Sequence, residues 1–186
     1  MSKLTKIGFV AICVLQLAIP ARMIFDREFL LSSGKPYKFL VRPMDPVDYI
    51  KGSYLDLSFS EDSFNLPNDD TWHYNDAVFI HLAMDSAGFA RVTDISRQAP
   101  PDNGNTDYVA AKISFVYDDH VTIKYPFDRF YMPEEKAQQA DKNFQSLRID
   151  STKKVYALVK IWKGEAVLKN VFVNAVPLSD ISSEKK

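Results

Sequence analysis

The stretch from Arg42 to Phe59, RPMDPVDYIKGSYLDLSF, constrains the fold more than any other part of the sequence. Pro43 and Pro46 fix their own φ angles, and each pushes the residue before it out of the helical region. The first half of the stretch is therefore predicted to be an extended, turning connection. Gly52 then allows a backbone angle that a side chain would resist.

The second half of this stretch alternates polar and apolar residues, which is typical of a strand with one buried face. Leu55, Leu57 and Phe59 are predicted to point into the core. Tyr54 and Asp56 then point away from it. We therefore expect a turn followed by a strand that carries an aromatic and an acidic residue on its outer face.

This strand and the glycine before it resemble the signature of a family of bacterial membrane-anchored proteins named after its motif, GDYXXLXY. Gly52, Tyr54 and Leu57 match the motif. Ser53 stands where the family has Asp, and Phe59 stands where it has Tyr. The missing motif carboxylate argues against any mechanism that requires an acid at that position.

Three more segments are similar to the same family. Asp45, Pro46 and Asp48 resemble its run of Asp-Pro turns. The segment DRFYMPE, residues 128–134, is similar to its ERYFVPE, and residues 164–178 look like its closing hairpin. The resemblance covers nearly the whole chain and implies a membrane-anchored architecture, without an established activity.

The N-terminal region predicts a membrane-spanning helix. Lys3 and Lys6 precede a largely apolar run over residues 7–25, in which Arg22 is the only charged residue. As a helix this run would be about 28 Å long, close to the roughly 30 Å hydrocarbon core of a bilayer. Both lysines lie on the N-terminal side, so the positive-inside rule places the N-terminus in the cytoplasm. We expect a single-pass signal anchor in the bacterial inner membrane, contacting the lipid bilayer through residues 7–25, with a periplasmic domain.

Two other interpretations of the apolar run are less favoured. A signal peptide would be cleaved after Ala21, but Ile19 and Pro20 make a poor small-residue site. A lipoprotein anchor on Cys13 is disfavoured because this cysteine lies in the middle of the run. Cys13 is also the only cysteine in the chain, so the folded part is predicted to have no internal disulfide and no thiolate metal site.

Length and charge indicate one folded domain with an appendage. The chain has 186 residues, and its 23 basic and 24 acidic residues give a net charge of -1. These charges form no basic stripe, so we expect no nucleic-acid partner. We assign residues 1–32 to the anchor helix, 33–178 to an extracytoplasmic β-rich domain and 179–186 to a disordered tail.

Eight segments show strand patterns, mostly in sequential pairs. They are residues 37–41, 53–59, 77–84, 89–97, 111–117, 121–125, 155–162 and 166–175. The fold class is therefore predicted to be mainly β (α+β), an antiparallel barrel or sandwich of about eight strands with one packed helix, preceded by the transmembrane helix.

Three local expectations complete this assignment. Residues 61–76 lack periodicity and are predicted to be a loop. Residues 133–147 open with proline and two glutamates and have an apolar face at helical spacing, which predicts the packed helix. In the strand over residues 111–117, simple alternation places Phe115 and Tyr117 on the same face as Ile113.

We predict no metal site, no catalytic residue and no cofactor. His73, His81 and His120 are scattered over a loop, an apolar strand and a turn, and His81 is typical of a hydrogen-bonded core histidine. The Asp- and Asn-rich segments 68–70 and 102–107 lack the ligand spacing of a calcium loop. The chain also has no Gly-x-Ser-x-Gly elbow and no phosphate-binding glycine loop.

Charged and aromatic residues that flank the two motifs form the candidate interaction or structural site. They are Arg42, Asp45, Asp48, Gly52, Tyr54, Arg129, Tyr131 and Glu134. We expect the two stretches to meet, with Arg129 in a buried bidentate contact to Asp45 or Asp48 and with Tyr54 close by. This contact either only holds the turn in place or belongs to a surface patch for an extracytoplasmic ligand or a neighbouring membrane protein.

The function predicted from the sequence is that of a membrane-anchored periplasmic β domain. We expect a binding or interaction module, more a non-enzymatic protein than an enzyme, that works with other membrane proteins, including multi-span ones. The alternative is a membrane-bound hydrolase that uses carboxylates near the two motifs.

Overall fold

The structure, a computed structural model, describes residues 3–42, 50–51, 54–65, 72–101, 106–117, 120–131 and 154–178. The elements of this part of the chain are α1 (Lys3–Ser33), β1 (Lys35–Leu40), β2 (Ile50–Lys51), β3 (Tyr54–Asp56), β4 (Ser63–Asn65), β5 (Ala77–Met84), β6 (Ala90–Ser96), β7 (Asp107–Tyr117), β8 (His120–Lys124), β9 (Arg129–Tyr131), β10 (Val155–Trp162), β11 (Glu165–Val173) and β12 (Val176–Pro177). The predicted mainly β fold with one long apolar N-terminal helix is confirmed.

Helix α1 is long and apolar enough to cross a membrane. It runs without a break through Pro20, and its apolar side chains between Ile7 and Phe25 are exposed. Leu30, near the C-terminal end, is by contrast only 3% exposed because it packs on the β domain. The apolar part of the helix therefore needs a nonaqueous environment that the described part of the chain does not provide.

Gly34 ends the helix. Its backbone N–H donates to the carbonyl of Leu30 at 2.9 Å. A Cβ on Gly34 would lie only 2.5 Å from the same oxygen, so a side chain does not fit this close approach. The chain thus turns directly from the helix into β1 at Ser32, Ser33 and Gly34, residue types that are a common signal for the end of a helix.

The strands of the described residues form three antiparallel groups. Their orders are β1-β10-β11-β12, β2-β3-β9 and β4-β8-β7-β5-β6, and a sheet curls into a half-barrel. In the first group, Lys35 lies opposite Ile161 and Leu40 lies opposite Tyr156. The start of β1 and the tip of the β10–β11 hairpin therefore lie beside the end of α1, and the other end of β1 lies farthest from the helix.

Four buried aromatic residues lie at that far end. Phe39 comes from β1, Phe59 from the end of the motif stretch, and Tyr125 and Phe127 from the connection between β8 and β9. The Phe39 ring lies 5.6, 5.5 and 5.0 Å, respectively, from the other three ring centroids. This aromatic cluster packs together three segments that backbone hydrogen bonds also join, and aromatic pairs at such distances add to the gain from burial.

The motif stretch is attached at the far end of β1. Val41 and Phe59 form an antiparallel bridge, and the Arg42 N–H donates to the carbonyl of Ser58 at 2.8 Å. The six residues of β1 extend about 20 Å at the usual rise of a strand. The motif segments are therefore separated from the helix by about the length of one strand.

Two local predictions are wrong. β4 interrupts the predicted loop 61–76, because Phe64 pairs with Val121 and packs on the core; three residues are too few to show a period in the sequence. A bulge between Ile113 and Phe115 reverses the alternation in β7. Phe115 is consequently 60% exposed rather than buried.

Tyr117, two residues after Phe115, is 64% exposed because of the same bulge. Val116, which lies between them, packs against the core. The predicted alternation of Leu55, Leu57 and Phe59 into the core is confirmed, since all three are buried. The predicted helix over 133–147 and the tail over 179–186 lie outside the described residues.

The aromatic cluster leads to a stability prediction. Replacing Phe39 by alanine in the full-length protein is expected to lower the free energy of unfolding by about 3 to 5 kcal/mol, because it removes a buried ring and leaves a cavity. Phe115→Ala is the matched control, and its exposed ring predicts a change within about 0.5 kcal/mol. Denaturant unfolding in detergent, followed by tryptophan fluorescence, measures both; equal losses for the two variants would contradict the cluster's role.

Candidate functional site

The two motif segments pair directly through β3 and β9. In this antiparallel register Tyr54 lies opposite Tyr131, and Asp56 lies opposite Arg129. Between these pairs Leu55 is 1% exposed and points into the core. The two stretches, distant in sequence, therefore meet in space as predicted.

Packing below this pair of strands fixes its position. The Leu57 N–H donates to the carbonyl of Asp128 at 2.7 Å, which continues the pairing beyond β3. Phe59 and Phe127, which follow and precede the two strands, lie 5.4 Å apart in the aromatic cluster. The backbone of β3 and β9, which carries the outer side chains, is thus held in place by pairing and by the aromatic cluster.

Four of these outer side chains form the motif surface: Tyr54, Asp56, Arg129 and Tyr131. Arg129 Nε lies 3.5 Å from Asp56 Oδ1, and the guanidinium carbon lies 5.0 Å from the centroid of the Tyr54 ring. The two tyrosine rings are 5.6 Å apart. An ion pair, a cation–π contact and an aromatic pair are thus combined on one outward face.

The electrostatics of the motif surface keep Arg129 charged. A hydrogen bond with Tyr131 and the proximity of Tyr54 raise the pKa of this guanidinium above its already high ordinary value. The side chains of Arg129 and Asp56 are 45% and 35% exposed, so water screens their ion pair. The expected buried contact of Arg129 with Asp45 or Asp48 stays a prediction, because both aspartates lie outside the described residues. The observed ion pair with Asp56 is partly exposed, and its loss would cost little stability.

Asp56 is a residue of the motif surface that is not among the candidates predicted from the sequence. The alternation already placed it on the same face as Tyr54, but pairing with Arg129 follows only from the register between β3 and β9. Four candidates, Asp45, Asp48, Gly52 and Glu134, lie outside the described residues.

Arg42 is not part of the motif surface. Its guanidinium donates to a carboxylate oxygen of Asp62 and, at 3.1 Å, to the carbonyl of Phe59. The same carboxylate accepts the Phe59 N–H at 3.3 Å. The Arg42–Asp62 ion pair therefore holds the end of the motif stretch against the end of β1, and we call this pair the clamp.

Burial raises the pKa of Asp62 above its ordinary value, although Arg42 and backbone donors counteract this effect. The nearby Tyr125 hydroxyl donates to the carbonyl of Glu61 at 2.5 Å, and burial raises the pKa of Tyr125 as well. The clamp is thus a partly buried polar network beside the aromatic cluster, and it has a structural role.

The described carboxylates of the two motif strands and their flanks form ion pairs with neighbouring cations. No group of three His, Cys, Asp or Glu side chains that could hold a metal ion occurs among the described residues. His81 Nε2 lies 2.9 Å from Ser96 Oγ, so the side chain of this histidine forms a hydrogen bond within the protein. Asp56 and Asp128 are each paired with a cation, Arg129 and Lys124.

The clamp leads to a pH-dependent prediction. At neutral pH, Arg42→Ala is expected to lower the free energy of unfolding by about 1 to 2 kcal/mol, because it leaves the Asp62 carboxylate without its cationic partner. The difference from the wild type is fully present where Asp62 is ionised and is lost as the pH falls through the folded pKa of Asp62.

Denaturant midpoints between neutral and acidic pH measure this difference. The double variant Arg42→Ala/Asp62→Asn is the control and should lose most of the pH dependence. A gap between Arg42→Ala and wild type that does not change with pH would contradict the clamp.

The comparison with known protein families agrees with the family resemblance of the two motif segments. The model of one family, described as GDYXXLXY protein, matches residues 16–171, which include the end of α1 and both motif strands. No curated protein and no solved structure matches the chain. Because the family model covers well over half of the sequence, the chain belongs to the GDYXXLXY family.

Proposed function

We propose that this protein is a membrane-tethered interaction module whose motif surface binds a neighbouring membrane protein. Family membership and the apolar helix α1 fit a membrane-anchored protein. In our proposal the helix crosses the inner membrane once, the N-terminus is cytoplasmic, and the β domain lies in the periplasm. The two N-terminal lysines support this orientation through the positive-inside rule.

The observation that carries the proposal is the composition of the motif surface. Tyrosine and arginine are the residue types that most often dominate binding energy at protein interfaces. Tyr131 is 66% exposed, and Arg129 is held between Tyr54 and Asp56. Since these side chains stand on paired strands above a packed core, little conformational entropy is lost when a partner binds them.

The position of the motif surface indicates what kind of partner fits. It lies at the end of β1 away from α1, about 20 Å along the strand direction. A lipid headgroup at the C-terminal end of α1 does not reach that far, whereas the extracytoplasmic part of another membrane protein does. We therefore infer a protein partner held in the same membrane.

The hydrolase alternative has no supporting observation in the described residues. Asp56 and Asp128, the carboxylates of the paired motif segments, are engaged in ion pairs. The remaining carboxylates of this alternative, Asp48 and Glu134, lie outside the described residues. If the protein showed hydrolytic activity that disappeared with Asp48→Asn or Glu134→Gln, the hydrolase alternative would replace the binding proposal.

The proposed orientation can be tested with a reporter. A reporter enzyme that is active only outside the cytoplasm, fused after Lys186, should be active, and the fusion should keep its full mass because α1 is retained. A silent reporter would refute the orientation. Loss of about twenty residues from the N-terminus would show signal-peptide cleavage and refute the anchor.

The binding role can be tested by crosslinking in native membranes. A photoreactive residue at Tyr131 should give a discrete adduct with a second protein, and Arg129→Ala should reduce its yield severalfold because it removes a central contact. A photoreactive residue at Tyr117, which is 64% exposed and lies on another sheet, is the matched control. The same adducts from both positions, or none from Tyr131, would contradict the proposal.

A further inference from the structure

A cavity of 310 Å³ lies where α1 meets the tip of the β10–β11 hairpin. This junction cavity is lined by Arg22, Asp26, Phe29, Trp162, Lys163 and Glu165. Its volume is at the lower end of the range for small-molecule sites, about 300 to 1,000 Å³. It belongs neither to the motif surface nor to the clamp.

The hairpin tip is held firmly in this position. The Gly164 carbonyl accepts the Ala110 N–H at 2.8 Å, and Lys163 and Gly164 have φ angles of 48° and 86°. A Cβ on Gly164 would lie 2.6 Å from the Tyr108 ring, so only glycine fits against β7. On the helix side, the Phe29 and Trp162 rings meet edge to face at 6.1 Å. The junction cavity is thus formed before any ligand enters it.

The junction cavity lies at the level of the lipid headgroups if α1 spans the membrane. Arg22 and Phe29 are seven residues apart, so the hairpin tip runs beside about 10 Å of helix. The lower edge of this segment overlaps the apolar run that ends at Phe25. Trp162 is 45% exposed, and tryptophan beside a basic residue is typical of the membrane–water interface.

The charges of the junction cavity are mixed and balanced. Arg22 and Lys163 supply two cations, and Asp26 and Glu165 supply two carboxylates. Arg22 Nε lies 3.5 Å from Asp26 Oδ2, and their side chains are 83% and 56% exposed, so this pair is open to a ligand. A purely anionic headgroup would pair with the cations but would draw Arg22 away from Asp26 and add a negative charge beside both carboxylates.

We infer that the junction cavity binds the headgroup of a zwitterionic phospholipid with a primary amine, of the phosphatidylethanolamine class. The phosphate accepts hydrogen bonds from Arg22 and Lys163, and the ammonium donates to Asp26 and Glu165. A trimethylammonium group has no N–H to donate to these carboxylates, so a choline lipid binds less well. The inference rests on the membrane anchor of the proposed function but not on its protein partner.

The test uses the full-length protein in vesicles with equal parts of phosphatidylethanolamine, phosphatidylcholine and phosphatidylglycerol. After mild detergent extraction, mass spectrometry measures the lipids that remain bound. We expect phosphatidylethanolamine to be enriched over the vesicle composition. Asp26→Asn and Glu165→Gln should each reduce the enrichment by about two- to fivefold, the range for a partly exposed ion pair.

Glu28→Gln is the matched control, because Glu28 is an exposed acid on the same helix that does not line the cavity, and it should keep the enrichment. Bound lipid in the vesicle ratio, equal retention of the choline lipid, or enrichment that survives both cavity variants would overturn the inference. A protein without a membrane anchor would instead not associate with the vesicles at all. If the protein had no protein partner, only the crosslinking from Tyr131 would fail, and the lipid enrichment would be unchanged.

Discussion

The packing of four aromatic rings, from Phe39, Phe59, Tyr125 and Phe127, is the interaction on which the rest of the structure depends. All four are buried, and they come from three separate parts of the chain. Their contacts hold the end of β1, the end of the first motif and the start of the second motif together. Because the core is packed at fixed positions, the outer side chains of β3 and β9 also have fixed positions.

This arrangement separates the protein into two ends with different chemistry. Next to α1, the hairpin tip and the helix form a small cavity with balanced charges. At the other end of β1, the paired motif strands present tyrosine, arginine and aspartate on a firm base. The Arg42–Asp62 clamp lies beside the aromatic cluster, so a charged residue of the first motif stretch serves the fold rather than the motif surface.

Short-range features of this chain could be predicted from the sequence, and features that depend on distant pairing could not. Strand alternation correctly predicts that Leu55 lies in the core, because alternation depends only on neighbouring residues. The exposed side of Phe115 was missed because a bulge depends on the register between β7 and β8. The ion partners of Arg129 and Arg42 were missed because one lies across a strand pair and the other twenty residues along the chain.

Disulfide formation between cysteines placed at Tyr54 and Tyr131 tests the central claim, that the two motifs form one surface, most directly. Directly opposite residues on antiparallel strands have Cα atoms about 4.5 to 5.5 Å apart, within the range that a disulfide can bridge. In a Cys13→Ser background we expect rapid intramolecular oxidation of this pair, detected as a loss of two hydrogens in the protein mass. A pair at Tyr54 and Tyr117 should stay reduced. A folded protein in which the Tyr54–Tyr131 pair stays reduced, or in which both pairs oxidise equally, would contradict the shared surface.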